Sequence, residues 1–308
     1  MLEKKIFMIL TAVTVLLFAS LTCAGEDGNE YFNGAEGIKA ATCPPPGFYL
    51  RSYNFMYSAG ALKDSGGRDI PAGFDVKVTG TAERFLLVTS KKFLGGDLAF
   101  DAMLPFIYND LRVETAGIHE HTASAGDLYF SPCILAYHGE RYDSVVSVSF
   151  FLPTGAHDDR TPNKAGKRYF TTMATGGFTS YFGEEKSVSL SLLARYEKHG
   201  KIRGRDARPG DDLHFEFGLG KTVKKTIDLG IAGYCQRQMT KDRGTDILYD
   251  VSVKDRVFAI GPEASFIFPK RMMFLSVRAL AEFGARDRSQ GNVVVVTLTK
   301  RFGRDQKN

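Results

Sequence analysis

The chain has 308 residues, is 44% hydrophobic and sets 40 lysines and arginines against 35 acidic residues, a formal net charge of +5. That length admits two ordinary domains or one large β-barrel, and a mean hydropathy of −0.15 argues against a bundle of apolar transmembrane helices. The basic residues are dispersed among acidic ones with no aromatic-studded basic stripe, which argues against nucleic acid as a partner.

The first element is an address. Lys4 and Lys5 precede an apolar run from Ile6 to Leu21, and Thr22-Cys23-Ala24-Gly25 follows with the small residues of a cleavage site. Residues 1–24 are therefore expected to be a signal peptide, with cleavage after Ala24. Cys23 would suit lipid attachment, but Ser20 stands where such signals usually carry Leu. Cys43, Cys133 and Cys235 are far apart and form no C-x-x-C, so they read as isolated small side chains rather than a disulfide framework. Pro44-Pro45-Pro46 cannot donate ladder hydrogen bonds, so the first strand must begin after them.

From residue 47 the pattern is β throughout. Segments with period-two alternation are expected at about 47–60, 74–89, 97–113, 126–138, 142–154, 167–182, 186–199, 212–223, 227–240, 256–269, 272–286 and 292–302. In "KSVSLSLLARYE", Val188, Leu190, Leu192, Ala194 and Tyr196 oppose Ser187, Ser189, Ser191, Arg195 and Glu197. In "DLHFEFGLG", Leu213, Phe215, Phe217 and Leu219 oppose His214, Glu216 and Gly218. In the last segment Val294, Val296, Leu298 and Phe302 oppose Thr297, Thr299 and Arg301.

The links alternate in length. "SKKFLGG", "HGER", "GEE", "KKT" and "PKR" are tight, and long polar links such as "GALKDSGGRDIPAG", "ETAGIHEHTASA" and "GAHDDRTPNKAG" fall between them. Short periplasmic turns and long outer loops are the habit of transmembrane barrels. The expected fold is thus an all-β, closed antiparallel barrel of about twelve strands over 47–302, in the outer membrane, with a periplasmic tail at 303–308. The last strand must pair with the first, because an open sheet edge in lipid leaves backbone groups unsatisfied. Tyr108, Tyr142, Tyr181, Phe182, Tyr196 and Phe302 near strand ends suit interfacial girdles.

Two stretches carry a resemblance. "NGAEGIKAATCPPPGFYLRSYNFMYSAGALKD" and "GDLYFSPCILAYHGERYDSVVSVSFFLPTGAHD" resemble the family of outer-membrane proteins associated with the meta-cleavage pathway of phenol degradation. The likeness runs from about Gly34 to Phe302, and in "GKRYF" Tyr169 and Phe170 stand where relatives often carry an aromatic pair with Trp. It implies a barrel that admits hydrophobic or aromatic compounds. Outer-membrane lipid, small hydrophobic solutes and, during biogenesis, the barrel-assembly machinery are the partners this reading implies.

Function is expected in the lumen. The register points Arg51, Lys77, Asp101, Arg195, Glu197, His214, Glu216, Asp228, Arg278 and Glu282 inward, either as a salt-bridged filling or as a polar constriction on a solute path. Residues 25–46 are either a stiff leader at the periplasmic rim or a plug. As a plug, they would offer Glu26, Asp27, Glu30 or Glu36 to Arg51, Arg195 and Arg278, and salt would loosen such pairs if they are exposed. "PTG" at 153–155 is expected to end the fifth strand at the outer rim. Enzyme signals fail: "GLGKT" lacks the first glycine of a phosphate loop, there is no G-x-S-x-G elbow, and His119-Glu120-His121 has no third placed metal ligand. No cofactor and no metal are assigned. A channel for small solutes and a non-transporting surface barrel are the two readings that remain.

Overall fold

A computed structural model describes residues 28–157, 165–247, 250–252 and 254–303; the expected signal peptide and the tail from residue 304 lie outside them. In chain order the strands are β1 (Gly47–Lys63), β2 (Phe74–Phe93), β3 (Gly96–Val113), β4 (Ile118–Ala125), β5 (Leu128–His138), β6 (Tyr142–Leu152), β7 (Thr171–Phe182) and β8 (Val188–His199). There follow β9 (Ala207–Arg208), β10 (Asp212–Val223), β11 (Ile227–Gln238), β12 (Arg243–Gly244), β13 (Arg256–Phe268), β14 (Met273–Arg286) and β15 (Arg288–Phe302). Twelve of them close one antiparallel ring in the order β1-β2-β3-β5-β6-β7-β8-β10-β11-β13-β14-β15, and β15 returns to β1 with Phe48 opposite Phe302 and Phe55 opposite Val295. The ladder therefore has no free edge at membrane depth, as hydrocarbon demands. Phe48 reinforces the closing seam by lying against Phe85 on one side and Phe302 on the other.

The faces follow the alternation. Phe48, Met56, Phe85, Leu87, Val146, Val148, Leu190, Leu192, Leu219, Ile231, Ile260, Val277, Phe283 and Leu298 project outward and stay exposed, while Ser189, Ser191, Glu197, His214, Glu216, Ser276 and Thr297 are buried inside. An apolar coat around polar contents inverts the arrangement of a water-soluble protein, and it is the arrangement lipid requires. Tyr108, Tyr142, Phe182, Tyr196 and Phe302 are exposed. Tyr181 is not a girdle residue. It turns inward at the periplasmic mouth, where its hydroxyl bonds Asp143 and Thr42.

The first strands outrun the membrane. β1, β2 and β3 have 17, 20 and 18 residues, whereas a tilted span needs about 9–11. Their surplus stands above the outer rim around Leu62, Phe74, Val76 and Val113. Residues 118–125, expected as loop, instead form β4 and pair with the outer half of β3 from Val113 opposite Ile118 to Phe106 opposite Ala125. His119 and His121 thus lie on a strand and not in a loop. "GLGKT" lies at the end of β10, within the expected strand 212–223, paired with β11 through Val223 opposite Ile227. β7 begins at Thr171, after Tyr169, whose buried ring packs edge-on against His199. The link between β14 and β15 is a single residue, Asp287, at an outer end otherwise served by longer connections.

β6 does end at Leu152, ahead of the Pro-Thr-Gly run. There Asp127 accepts from the backbone N–H groups of Gly155 and Lys167 at 2.7 and 2.9 Å, clamping the two arms of the following loop.

The two faces of β6 set up a direct test. Val146→Arg or Val148→Arg places a charge in hydrocarbon, at a cost of about 2–4 kcal/mol near the midplane, and is expected to abolish the heat-modifiable band of the assembled barrel. Ser147→Arg points into an open part of the lumen and should assemble normally. Equal tolerance at both faces would show that this wall does not meet lipid.

Candidate functional site: the lumen and the segment inside it

Residues 28–46 are threaded through the lumen, and the wall receives them mostly by accepting hydrogen bonds. Glu197 Oε1 accepts from Tyr31 N at 2.8 Å and its Oε2 from Glu30 N at 3.0 Å. Glu216 Oε1 accepts from Gly34 N and Glu36 N at 3.0 Å each, and its Oε2 from the Tyr31 hydroxyl at 2.8 Å. Glu263 Oε2 accepts from Ile38 N at 2.9 Å. Lys39 ends the run on Asp228 at 2.8 Å. A chain without regular structure would otherwise bury its N–H groups unpaired, at about 1–3 kcal/mol each; the carboxylates remove that penalty.

The arginines complete the arrangement. Arg51 and Arg84 bind Glu36 at 3.0 and 3.3 Å, and the Tyr53 hydroxyl donates to the same carboxylate at 2.7 Å. Arg84 also pairs with Asp101. Arg195 pairs with Glu216 and lies over the Tyr31 ring, 4.0 Å from its centre, a cation–π contact in a desolvated place. Arg278 donates to the carbonyls of Gly34 and Ala35 and pairs with Glu263 at 3.3 Å.

Of the expected inward residues, Arg51, Asp101, Arg195, Glu197, His214, Glu216, Asp228, Arg278 and Glu282 lie in the lumen, Glu282 accepting from the Tyr57 and Tyr234 hydroxyls. Lys77 does not. Its side chain is 62% exposed and points outward beside Asp75, while Val76 takes the inner position. It sits on the part of β2 above the rim, where both faces meet water and a charge no longer marks the lumen. Of the expected segment anions Glu36 meets Arg51, whereas Arg195 and Arg278 serve Tyr31 and backbone carbonyls; Glu26 and Asp27 lie outside the described residues. Arg84 and Glu263 were missed, although Arg84 faces away from Phe85 and Leu87 in the alternation. Glycine is required where segment and wall touch: a Cβ on Gly218 would stand 2.5 Å from the carbonyl oxygen of Gly37.

Beside the segment lies a cavity of about 430 Å³. Its wall is mixed. Phe32, Phe55, Met103, Ile107, Ile134 and Phe151 supply apolar surface, and Arg51, Arg84, Arg195 and Glu36 gather on one side. The size falls in the usual range of small-molecule sites, about 300–1,000 Å³.

Among solved structures, an outer membrane channel from Pseudomonas putida F1 superposes with a TM-score of 0.76 at 12% identity, covering 86% of this chain and 98% of that one. The β domain of the Bordetella autotransporter Brka gives 0.46 at 11% identity over 83% and 100%. The CymD monoaromatic hydrocarbon channel gives 0.41 at 7% identity over 84% and 89%. No curated protein matches the chain. The family described as "Putative MetA-pathway of phenol degradation" matches residues 59–298, from the outer half of β1 to the closing strand, and the chain belongs to that family.

Proposed function

We propose that the protein is a passive outer-membrane channel for small, largely hydrophobic or aromatic compounds, with residues 28–46 as a resident plug that narrows the path. The observation that carries this reading is the cavity: apolar over most of its wall, bordered by four arginines, and inside a closed barrel. Water-filled porins favour sugars and ions, whereas a narrow apolar path selects by desolvation. The family's link to phenol degradation gives aromatic solutes the same direction. Arg51, Arg195, Glu197, His214, Glu216, Asp228 and Arg278 act in this proposal as plug holders first, Asp101 and Glu282 as wall acids that fix Arg84 and the Tyr57 and Tyr234 hydroxyls, and the arginines as the polar side of the solute path.

The test is accumulation of a radiolabelled monoaromatic compound in cells with an intact lipopolysaccharide leaflet. Cells carrying the protein are expected to accumulate it several-fold faster than cells lacking it. Equal rates would favour the alternative of a non-transporting surface barrel.

The plug is tested separately. Deleting residues 26–42, or substituting Gly218→Val to drive Gly37 off the wall, is expected to raise single-channel conductance several-fold while the barrel stays heat-modifiable. Water entering the emptied lumen would solvate the carboxylates that lose their partners. Raising salt should not mimic these changes in the intact chain, because Glu36 is 8% exposed and buried pairs are screened little. This corrects the expectation for exposed pairs. Unchanged conductance in both folded variants would remove the plug from the proposal.

A further inference from the structure

At the far wall from β1, two strands bring together a set of side chains that the plug alone does not explain. Glu197 on β8 lies directly opposite Asp212 on β10, and both carboxylates are buried, 0% and 3% exposed. Like charges in direct cross-strand register repel, and buried anions need a compensating charge. Among the described residues, the basic groups paired with these two carboxylates are histidines alone, His199 and His214. The nearby arginine, Arg195, is engaged with Glu216.

The ligand atoms converge. His199 Nε2 lies 3.1 Å from Asp212 Oδ2 and 3.9 Å from Glu197 Oε2, and all three lie within 4.8 Å of one another. A tetrahedral zinc ion with bonds of about 2.0–2.2 Å sets its ligand atoms about 3.3–3.6 Å apart, so the carboxylate–imidazole spacings bracket that edge. His214 supplies an independent pointer. It is fully buried, and its Nδ1 bonds Asn33 Oδ1 at 2.7 Å. An amide oxygen only accepts, so Nδ1 carries a proton. In the neutral ring, Nε2 then presents a lone pair. That nitrogen makes no hydrogen bond, yet it faces Glu197 Oε2 at 3.3 Å. A lone pair turned on a carboxylate is repulsive, and either a proton or a metal cation between the two atoms relieves it.

The surroundings are those of a second coordination shell. His199 Nε2 donates to Asp212 Oδ2 at 3.1 Å, a proton that a metal would displace, and Nδ1 lies 2.9 Å from Thr171 Oγ1, to which it can donate the ring's remaining proton when Nε2 ligates. Gln236 Nε2 donates to Asp212 Oδ1 at 2.6 Å and so directs Oδ2 toward His199. Such partners fix the tautomer and orientation of metal ligands.

We propose that Glu197, His199 and Asp212 hold one divalent transition-metal ion of the zinc class, which draws the His214 nitrogen in from beside Glu197 as a fourth donor, and that this ion staples the plug to the wall through Asn33 and the Glu197 contacts with Glu30 and Tyr31. The donor set, imidazole with carboxylate and no thiolate, suits zinc and its neighbours better than calcium or magnesium. Binding requires ionised carboxylates and unprotonated ligand nitrogens, so it should weaken as pH falls.

The full chain, carrying a tag without histidine, is refolded in detergent after chelation, then given zinc or cobalt(II) chloride and freed of excess by gel filtration. One metal per chain is expected by mass spectrometry, and cobalt should give the intense visible absorption of a four-coordinate site. Asn33→Ala should weaken binding by about 10–100-fold, as loss of an outer-shell partner does. His199→Gln with His214→Gln should remove it while the barrel remains heat-modifiable. Removing the exposed pair, His119→Ala with His121→Ala, should leave the stoichiometry at one. A folded wild-type chain that retains neither metal overturns the proposal, whether or not the buried variants fold. So does unchanged affinity in the double histidine variant.

Discussion

The structure depends on the return of β15 to β1. In hydrocarbon no water is present to satisfy a backbone N–H or C=O, so a sheet there must either close or be covered. Pairing from Phe48 opposite Phe302 to Lys63 opposite Arg288 closes it, and each other property follows from that ring. Alternating side chains must divide into a lipid-facing and an enclosed set, because the period of a strand is two. The enclosed set is then free to be charged, and with twelve strands the ring is wide enough to hold a segment of its own chain.

Charge inside such a ring is an obligation as well as a freedom. Glu197, Glu216 and Glu263 are each nearly inaccessible, and a carboxylate in that position is destabilising without donors. The segment from Gly28 to Pro46 has the opposite need, since it carries N–H groups and no ladder to place them in. The two deficits cancel. This explains why wall acids that read as salt-bridge partners in the sequence bond peptide groups as well, and why Gly34, Gly37 and Gly218 stand where chain and wall approach closely.

What was legible in the sequence was whatever period two encodes. The twelve strands, the outward set through Leu190, Leu219 and Val277, and the inward set through Glu197, His214 and Arg278 could be read directly, because one face is paid in hydrophobic residues and the other is not. Where lipid stops, the code stops. Lys77 on the protruding part of β2 was placed inward with the lumen set, although exposed Phe85 and Leu87 turn the odd positions of that strand outward, and β4 was lost among loop residues because neither of its faces meets the bilayer. The closing pair of strands could be read, but side-chain contacts between distant parts of the chain could not. Glu197-x-His199 and Asp212-x-His214 are each unremarkable, and only antiparallel register sets one against the other. Apart from Glu36 with Arg51, the partners of the segment could not be found by matching charges, since many of its bonds are made by backbone.

The ring also gives the position of the plug a mechanical meaning. Residues 28–46 run directly into β1, and β8, which supplies Glu197 and Ser191 to them, lies six strand steps from β1 in either direction around the ring. The segment is therefore a spoke across a diameter, joined covalently to the rim at one end and held by hydrogen bonds at the other. A thin-walled cylinder flattens readily under lateral load, and a spoke resists lengthening of that diameter. Membrane pressure that ovalises the barrel along this axis pulls on the Glu197 and Glu216 contacts, so the shape of the cross-section and the seating of the segment are one variable rather than two.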